Sequence, residues 1–382
     1  MVYLDNIATT PIDPRVLEEM LVYLKSEFGN PSSIHTLGQR AKNAIICARQ
    51  RVASLIASKP EEIVFTSSGT EANNLAIKGI TKAFSKKGRH IISSSIEHIS
   101  VLHPLRTLEK EGFEVTFLPV DKRARVNPDD LGKALRDDTV LISIQLANPE
   151  TGTIQPIREI AEIIKGRSIA FHTDAVSACG RIPINVDELW VDALSISAHQ
   201  FYGPKGAGGL YVRKGTRLYP EIEGGIQEKG RRGGAENVSS IVGMGKAAEL
   251  VEKEMEEWNR NILKLQNMLI DGMFKNCEGI YLNSPKQALP GIINLSFDFV
   301  EGESLLISLD LEGICVASGS PCVSSTLKAS HVLSAMGIDP VLAHSSLLFS
   351  LGKENRKSDV EHLLNVFPSV LKRLRLMSPL HK

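Results

Sequence analysis

The feature that most constrains the fold is an alternation of two apolar patterns between about residue 60 and residue 215. Seven short runs rich in β-branched residues are separated by stretches in which apolar residues recur three and four positions apart. The runs are EIVFTS, HIISSS, EVTFLPV, VLISIQLA, IAFHTDA, ALSISA and GGLYV. Such runs predict buried strands, and the stretches between them predict amphipathic helices. Strands that alternate with helices predict the α/β class, with a mostly parallel sheet covered by helices on both faces.

The pattern changes after Val251, where the apolar residues step by four, three, four, three and four positions. One long amphipathic helix contains Val251, Met255, Trp258, Ile262, Leu265 and Leu269. Beyond it, IINLSF, ICVAS and LLFSL predict strands, and GESLLISLDLEG and DVEHLLNVFPSVLKRL predict helices. We therefore expect a large α/β domain over residues 13–255, and a smaller α+β domain built from residues 1–12 and 256–382.

The charge balance, the hydropathy and the cysteine pattern argue against a nucleic-acid-binding protein, a membrane protein and a self-contained metal site. Lys and Arg together number 44, as do Asp and Glu, so no net charge draws the chain to nucleic acid or a membrane surface. No apolar run is long enough to span a bilayer, and Asp5 interrupts the stretch where a signal peptide needs an apolar core. The five cysteines are scattered and lack the spacing of a self-contained metal site. We expect a cytoplasmic protein with no nucleic-acid partner and no membrane partner.

Three polar motifs follow predicted strands. FTSSGTEANNLAIKG places a turn of small residues before a helix that begins near Thr70, and the backbone N–H groups of such a turn can hold a phosphate. IEHISV places His98 after the next strand, and FHTDAVSACG places Asp174 at the end of another. Ligands of open α/β sheets bind at these strand ends. Each residue alone is more typical of a structural polar group, but the ordered set indicates a ligand site.

Motifs along nearly the whole chain resemble those of the cysteine desulfurases of the IscS/NifS family, which are pyridoxal-phosphate enzymes of the class-V aminotransferase group. They are YLDNIATTPIDPRV, FGNPSSIH, TEANNLAIKG, EH, GTIQPI, HTDA, YGPKG, ENVSSIVGMG, EGESLL, SGSPC and LAHSS. The resemblance implies fold type I of the pyridoxal-phosphate-dependent transferases, with a mostly parallel seven-stranded sheet in the large domain. It also implies a homodimer that passes sulfur to an IscU-like iron–sulfur scaffold protein.

The resemblance also assigns roles to individual residues. His98 would stack on the cofactor ring, Asp174 would pair with the pyridinium nitrogen, and Cys322 would receive the substrate's sulfur as a persulfide. Asn148 and Ser177 occupy positions near the ring oxygen. The phosphate would be held by Gly69, Thr70, Ser197 and His199.

The sequence departs from the family pattern at the two positions that matter most for chemistry. Gln200 follows His199 where the family has the lysine that bonds to the cofactor, and an amide is neither a nucleophile nor a base. Leu348 occupies the position of the arginine that holds the substrate carboxylate, which removes a charge-assisted pair. In smaller departures, Pro149 and Ser177 replace an asparagine and a glutamine near the ring oxygen, and Ala235 replaces a threonine that reaches the partner subunit's phosphate.

These departures lead us to expect a chain without pyridoxal phosphate and without desulfurase activity. It would serve as a dimeric platform for an IscU-like scaffold, with Cys322 as a relay thiol or as a ligand of an iron–sulfur cluster shared with the partner, since thiolates suit such clusters. The alternative is an active desulfurase that makes L-alanine and a persulfide on Cys322 with non-covalently bound cofactor. A third possibility is a sensor with another small anion in the phosphate cradle.

A chain without the cofactor would leave Asp174 without its pyridinium partner. A buried lone carboxylate is costly, so another group must pair with it. By resemblance the nearby candidates are His98, His172 and His199, and we expect a hydrogen-bonded cluster of histidine and aspartate, or ordered water, in the vacated pocket.

Overall fold

The computed structural model describes residues 1–318 and 329–378. In chain order the strands are β1 (Val2–Tyr3), β2 (Ile63–Thr66), β3 (His90–Ser94), β4 (Glu114–Leu118), β5 (Thr139–Ser143), β6 (Ala170–Asp174), β7 (Ala193–Ser197), β8 (Gly208–Val212), β9 (Ile280–Leu282), β10 (Ile292–Phe297), β11 (Ile314–Cys315) and β12 (Leu347–Ser350). The helices are α1 (Pro14–Lys25), α2 (Thr36–Leu55), α3 (Gly69–Phe84), α4 (Ile99–Lys110), α5 (Pro128–Ala134), α6 (Ile157–Ile164), α7 (Val186–Leu189), α8 (Val238–Asn276), α9 (Gly302–Leu311), α10 (His331–Ala335), α11 (Pro340–His344) and α12 (Lys357–Met377).

The large sheet has seven strands in the order β2-β8-β7-β6-β5-β3-β4. Strand β8 runs antiparallel to both of its neighbours, and the other four strand pairs are parallel. Strands β5, β6 and β7 are buried at every position, as expected where helices cover both faces. This confirms the predicted α/β class and the mostly parallel seven-stranded sheet.

A second, smaller group of strands involves both ends of the chain. Strands β12, β10 and β9 form an antiparallel sheet, and β1 pairs in parallel with β11. The N-terminal arm therefore lies against the C-terminal part before the chain enters α1. Helix α1 begins with Pro14 in its first turn, and the Asp13 side chain caps it by accepting a hydrogen bond from the N–H of Arg15.

The long helix α8 begins at Val238, thirteen residues before the predicted start, and has 39 residues. The early part was missed because Gly243 and Gly245 count against a helix, although Ile241, Met244 and Ala248 keep the helical spacing. A Cβ atom on Gly245 would lie 2.6 Å from the Cα atom of Ala48 in α2, so this glycine lets the two helices approach closely. The predicted strand ICVAS is also shorter in the structure and spans only Ile314–Cys315.

Helix α8 contributes residues to two separate apolar cores. Val251 belongs to the core beneath the large sheet, and Met255 and Trp258 pack against that core. Ile262 and Leu265 belong to the core of the smaller sheet, which also contains Leu4. We propose on this basis that the chain is organised as the large domain 13–255 and the small domain 1–12 plus 256–382. No helix in the described part of the chain is both long and apolar enough to cross a bilayer.

Candidate active site

One cavity of about 270 Å³ lies at the carboxyl ends of the sheet strands, where the sequence predicts a ligand site. Its wall contains every predicted cofactor residue except Asn148, namely Gly69, Thr70, His98, Asp174, Ser177, Ser197, His199 and Gln200. Cys322, predicted as the sulfur-carrying or cluster-binding residue, lies outside the described residues. Within those residues no cluster of three or more His, Cys, Asp or Glu side chains is arranged to hold a metal ion.

Asp174 is the last residue of β6, and its buried carboxylate lines the cavity. The Nδ2 group of Asn73 donates to Oδ2 at 2.7 Å, and the N–H of Val176 donates to Oδ1 at 2.9 Å. Burial raises the pKa of Asp174, and the nearby His98 ring and these hydrogen bonds oppose the rise. A carboxylate fixed in this way is a suitable acceptor for the N–H of a protonated pyridine ring.

The prediction that a histidine is the hydrogen-bond partner of Asp174 is wrong. The His172 ring lies between the hydroxyls of Ser143 and Ser195, at 2.9 Å from each, and burial lowers its pKa to about 3. The His199 Nδ1 atom lies 3.2 Å from the hydroxyl of Thr9. Asp174 is instead satisfied by Asn73, whose position one turn after Gly69 in α3 places its amide at the same carboxylate.

Asn73 also connects Asp174 to His98. Its Nδ2 group donates to the hydroxyl of Ser100 at 2.9 Å, and that hydroxyl lies 2.7 Å from Nδ1 of His98. The N–H of Ser100 donates to the same Nδ1 atom at 3.1 Å. Because a backbone N–H can only donate, Nδ1 is the unprotonated nitrogen and Nε2 carries the proton of the neutral ring. His98 therefore offers an N–H donor rather than a base.

The turn of small residues predicted before α3 is present, and the helix begins at Gly69. Ser68 caps the helix by accepting from the N–H of Glu71, and the first N–H groups of a helix have no intrahelical partners. A Cβ atom on Gly69 would lie 2.6 Å from Cγ2 of Val176, so only glycine fits this wall. The hydroxyl of Ser197 is buried without a partner in the protein. Free N–H groups, the helix dipole and an unused hydroxyl together suit a phosphate.

Gln200 ends a short 3₁₀ segment that follows β7. Its Nε2 group donates to the carbonyl oxygen of Ile7 in the N-terminal arm at 2.8 Å, and its Oε1 atom is buried without a partner. An amide in this place cannot form a covalent bond to a cofactor aldehyde. It instead ties the N-terminal arm to the wall of the cavity.

Of the remaining departures, Leu348 and Ala235 lie outside the cavity, and Pro149 and Ser177 line it. Leu348 lies in β12, is 5% exposed and belongs to the core under the large sheet. Asn148 is turned away from the cavity, and its Oδ1 accepts from the N–H groups of Glu150 and Thr151 at 2.9 Å each. Pro149 lines the cavity, and Ala235 lines a neighbouring cleft.

Sequence reasoning missed the polar residues behind the cavity wall. Glu97 is buried beside His98, accepts from the N–H of Gln145 at 3.0 Å and from the Ser94 hydroxyl, and burial raises its pKa to about 8. The ring of His331, in α10, contacts the carbonyl oxygen of Glu97 at 3.0 Å. Glu97 was adjacent to His98 in the EH motif, which is the one signal that could have identified it.

The residues present fit pyridoxal phosphate as a ligand held without a covalent bond. Asp174 can accept from the ring N–H, His98 lies in the wall for stacking, and the start of α3 with Ser197 can bind the phosphate. The lysine that would make the bond covalent is replaced by Gln200. These residues can therefore hold the ring nitrogen and the phosphate, and they offer no covalent bond to the reactive carbon.

Comparison with known proteins agrees over the full length. Residues 2–363 match the family model described as Aminotransferase class-V. The cysteine desulfurase IscS of Dictyoglomus turgidum is 53% identical over 99% of this chain and 96% of its own length. That of Methanosarcina thermophila is 52% identical over 99% and 94%. The cysteine desulfurase IscS 1 of Archaeoglobus fulgidus is 48% identical over 100% of both chains.

Solved structures give the same result. A NifS-like protein superimposes with a TM-score of 0.92 at 39% identity, over 98% of this chain and 100% of that protein. The structure of SspA in complex with cysteine superimposes with a TM-score of 0.83 at 35% identity, over 93% and 100%. These similarities extend across both sheets and the helix α8 between them.

The expectation of a chain without pyridoxal phosphate is wrong. Relatives at 48–53% identity over the full length are named cysteine desulfurases, a family that depends on this cofactor, and the cavity keeps the groups that would bind it. The error came from treating the loss of a covalent anchor as the loss of binding. The chain belongs to the class-V aminotransferase family, and within it to the cysteine desulfurases of the IscS/NifS type.

Proposed function

We propose that this chain is a pyridoxal-phosphate-dependent cysteine desulfurase that holds its cofactor without a covalent bond. L-Cysteine would lose its sulfur to the thiol of Cys322, giving L-alanine and a persulfide. The observation that supports the proposal is the lining of the cavity, which includes both Asp174, a possible acceptor for a ring N–H, and the start of α3, a possible binding site for a phosphate. The names of the relatives supply the substrate.

The residues around the cavity would divide the work of binding. Asp174, held by Asn73 and Val176, would accept the ring N–H, and the start of α3 with Ser197 would bind the phosphate. The cofactor, when bound, supplies an electron sink that weakens the bonds at the α-carbon of the amino acid. His98 would offer its Nε2–H as a hydrogen-bond donor toward the amino acid.

Two features of this chain would make the reaction slow and substrate binding weak. Gln200 cannot remove the α-proton, a function typically worth roughly a hundred- to ten-thousand-fold in rate. Leu348 is buried in the core, so no guanidinium from that position reaches the substrate carboxylate. Losing a hydrogen bond to a charged group costs about 1.5–3 kcal/mol, or roughly ten- to a hundredfold in affinity. We expect a high KM for L-cysteine and a low kcat.

The proposal also covers the protein partners of this chain, a second copy of itself and a scaffold protein. The resemblance to the family supports a homodimer, and Phe28, Ile34 and Ile226, which are 71%, 94% and 91% exposed, are apolar side chains that such an interface could cover. The relatives' name IscS supports a role in iron–sulfur cluster assembly with an IscU-like scaffold as the sulfur acceptor.

The test loads the purified chain with pyridoxal phosphate and removes unbound cofactor by gel filtration. Retained cofactor is measured by absorbance, alanine is measured after addition of L-cysteine, and Cys322 is analysed for a persulfide by mass spectrometry. We expect all three signals in the wild type. Cys322→Ser should retain cofactor and lose the persulfide, whereas Asp174→Ala should lose the cofactor. Retained cofactor without alanine would contradict the desulfurase reaction.

A second candidate function is a docking platform that binds the cofactor but does not turn over cysteine. The observation that favours it is the inward packing of Leu348 together with the amide at Gln200. This candidate predicts retained cofactor, no alanine, and co-elution with an IscU-like scaffold protein in gel filtration. The same preparation therefore distinguishes the two functions.

A further inference from the structure

A groove of about 960 Å³ shares no lining residue with the cavity of the candidate active site. Much of its lining comes from the loop after β4, from the segment that leads into α6, and from the first turn of α6. The rest includes residues 282–287, at the end of β9 and just after it. The volume is at the upper end of the roughly 300–1,000 Å³ typical of ligand pockets, so the groove has room for more than a small ion.

The lining of the groove is strongly basic, although the chain as a whole has no net charge. Its exposed cationic side chains are Lys122, Arg123, Arg125, Arg158 and Lys286. One carboxylate, that of Glu159, lies in the same lining and pairs with Arg125 at 2.7 Å. The carboxylate of Asp121, next to the groove in sequence, accepts from the backbone N–H groups of Arg123 and Arg125. A positive excess remains with both acids counted, and such an excess in a cleft attracts a partner of negative charge.

Apolar side chains, including Ile154, Ile182 and Leu282, line the same groove. No aromatic side chain is among the described residues that line it. Proteins that bind single-stranded nucleic acid stack the bases on aromatic side chains, which this groove does not offer. The combination of basic and aliphatic side chains therefore favours an acidic polypeptide over a nucleic acid.

The groove also includes the edge of a sheet. Strand β9 is the outermost strand of its sheet, beside β10, and no other strand of the described residues pairs with it. The N–H of Asn283 donates to the carbonyl oxygen of Asn294 at 2.9 Å. Bonded and non-bonded pairs alternate in an antiparallel ladder, so Leu282, opposite Leu295, has its N–H and C=O directed away from β10. Because Leu282 lines the groove, these groups are placed to pair with an added strand.

We propose that this groove is a docking site for an acidic, extended segment of another protein, which adds to β9 as a further strand. The backbone of the segment would pair with Leu282, its carboxylates would face the basic side chains, and its apolar side chains would contact Ile154 and Ile182. Binding by strand addition takes affinity from main-chain hydrogen bonds and specificity from the side chains. The inference goes beyond the proposed function and needs neither the cofactor nor Cys322.

The test measures binding of a short fluorescein-labelled peptide, in which glutamate alternates with valine, by fluorescence anisotropy. The full chain is used without added cofactor. We expect saturable binding that weakens as the salt concentration is raised, because salt screens exposed charges. A matched peptide with lysine in place of glutamate should bind at least about tenfold more weakly.

Two double variants locate the binding site. Lys122→Glu combined with Arg158→Glu reverses two exposed charges of the groove and should weaken binding about tenfold or more. Lys372→Glu combined with Arg373→Glu makes the same change in net charge on exposed positions of α12, outside the groove. This control should keep the affinity within about twofold of the wild type.

Peptides with methylated backbone nitrogens test the strand addition. In an extended strand the N–H groups of alternate residues face opposite edges, so only the valines or only the glutamates can donate to β9. Methylation of the set that faces β9 should weaken binding about tenfold or more, and methylation of the other set should leave it within about threefold. Equal effects of the two methylated peptides would overturn the strand addition.

Three other results would overturn the proposal. Absence of peptide binding, or equal weakening by both double variants, would remove the groove as the docking site. Tighter binding of a single-stranded oligonucleotide than of the peptide, lost in the groove variant, would assign the groove to nucleic acid instead. Since no cofactor is present in the experiment, these results leave the proposed desulfurase function to its own test.

Discussion

The hydroxyl of Ser330 donates a 2.7 Å hydrogen bond to the buried carboxyl group of Glu150. Ser330 immediately precedes α10, and its oxygen also accepts from the N–H groups of Val332 and Leu333. The other carboxyl oxygen of Glu150 is buried without a partner. This one contact joins the turn after β5 to the segment that follows the Cys322 region in sequence.

We expect Ser330→Ala to destabilise the protein by about 1–3 kcal/mol, because it removes a helix cap and leaves Glu150 wholly unpaired. Chemical denaturation measures the change. Ser330→Thr keeps the hydroxyl and is the matched control, expected to lie within about 0.5 kcal/mol of the wild type. Equal stability of Ser330→Ala and the wild type would show that the contact contributes nothing.

The buried acids predict how stability depends on pH. Burial raises the pKa of both Glu150 and Glu97 to about 8, above the ordinary value of 4.5. Between these values the folded state binds more protons than the unfolded state, so the free energy of unfolding falls as the pH rises from about 4.5 to 8. Glu150→Gln should flatten that dependence, which denaturation at pH 5, 6.5 and 8 measures. A slope identical to that of the wild type would contradict the assignment.

Asn73 is expected to be important for cofactor binding although it is not the residue at the family's lysine position. Asn73→Leu would remove the donor to Asp174 and break the link to Ser100 and His98. We expect pyridoxal phosphate to bind about tenfold more weakly, as calorimetry would show. Asn74→Leu is the control, because the neighbouring amide bonds only to the carbonyl oxygen of Thr70. Similar losses in both variants would indicate a general effect on α3.

Gly69→Ala tests the phosphate cradle by steric means. The added methyl group would lie 2.6 Å from Cγ2 of Val176 and 3.3 Å from Cβ of Ser197, so the wall must move. We expect inorganic phosphate and pyridoxal phosphate both to bind more weakly, by about tenfold or more. Gly132→Ala in α5 is the control, since its nearest neighbour is 3.9 Å away and alanine favours a helix. Unchanged phosphate affinity in Gly69→Ala would place the phosphate elsewhere.

Central strands such as β5 could be predicted from the sequence because burial on both faces favours a largely apolar run. The start of α8 was not predicted, because Gly243 and Gly245, which permit close packing there, count against a helix even though Ile241, Met244 and Ala248 keep the helical spacing. The identity of the site residues followed from the motifs, but their partners did not. Asp174 bonds to Asn73, 101 positions away, and a sequence does not tell which side chain of α3 reaches it.

Gln200 is a second residue of the candidate site whose partner could not be predicted from the sequence. The sequence shows that the covalent anchor is missing, and from that we expected the cofactor to be missing too. The structure shows an amide with a new partner, the carbonyl oxygen of Ile7, 193 positions away in the N-terminal arm. The cavity beside it keeps its groups for the ring and the phosphate. A chain can therefore lose the covalent bond to the cofactor and still keep the residues that would bind the cofactor.

Gln200→Lys should restore covalent attachment of the cofactor. The introduced amine lies at the position where the family bonds its cofactor, and Asp174 and the start of α3 would hold the ring and phosphate for it. We expect the loaded variant to keep its cofactor through dialysis and to yield, after borohydride reduction, a modified peptide containing position 200. Gln200→Met, similar in length but without an amine, is the control and should give no such peptide. Because the amine must also give up the contact with Ile7, we expect the variant to be less stable than the wild type by about 1 kcal/mol. Modification confined to other lysines would show that the cavity does not present the reactive carbon to position 200.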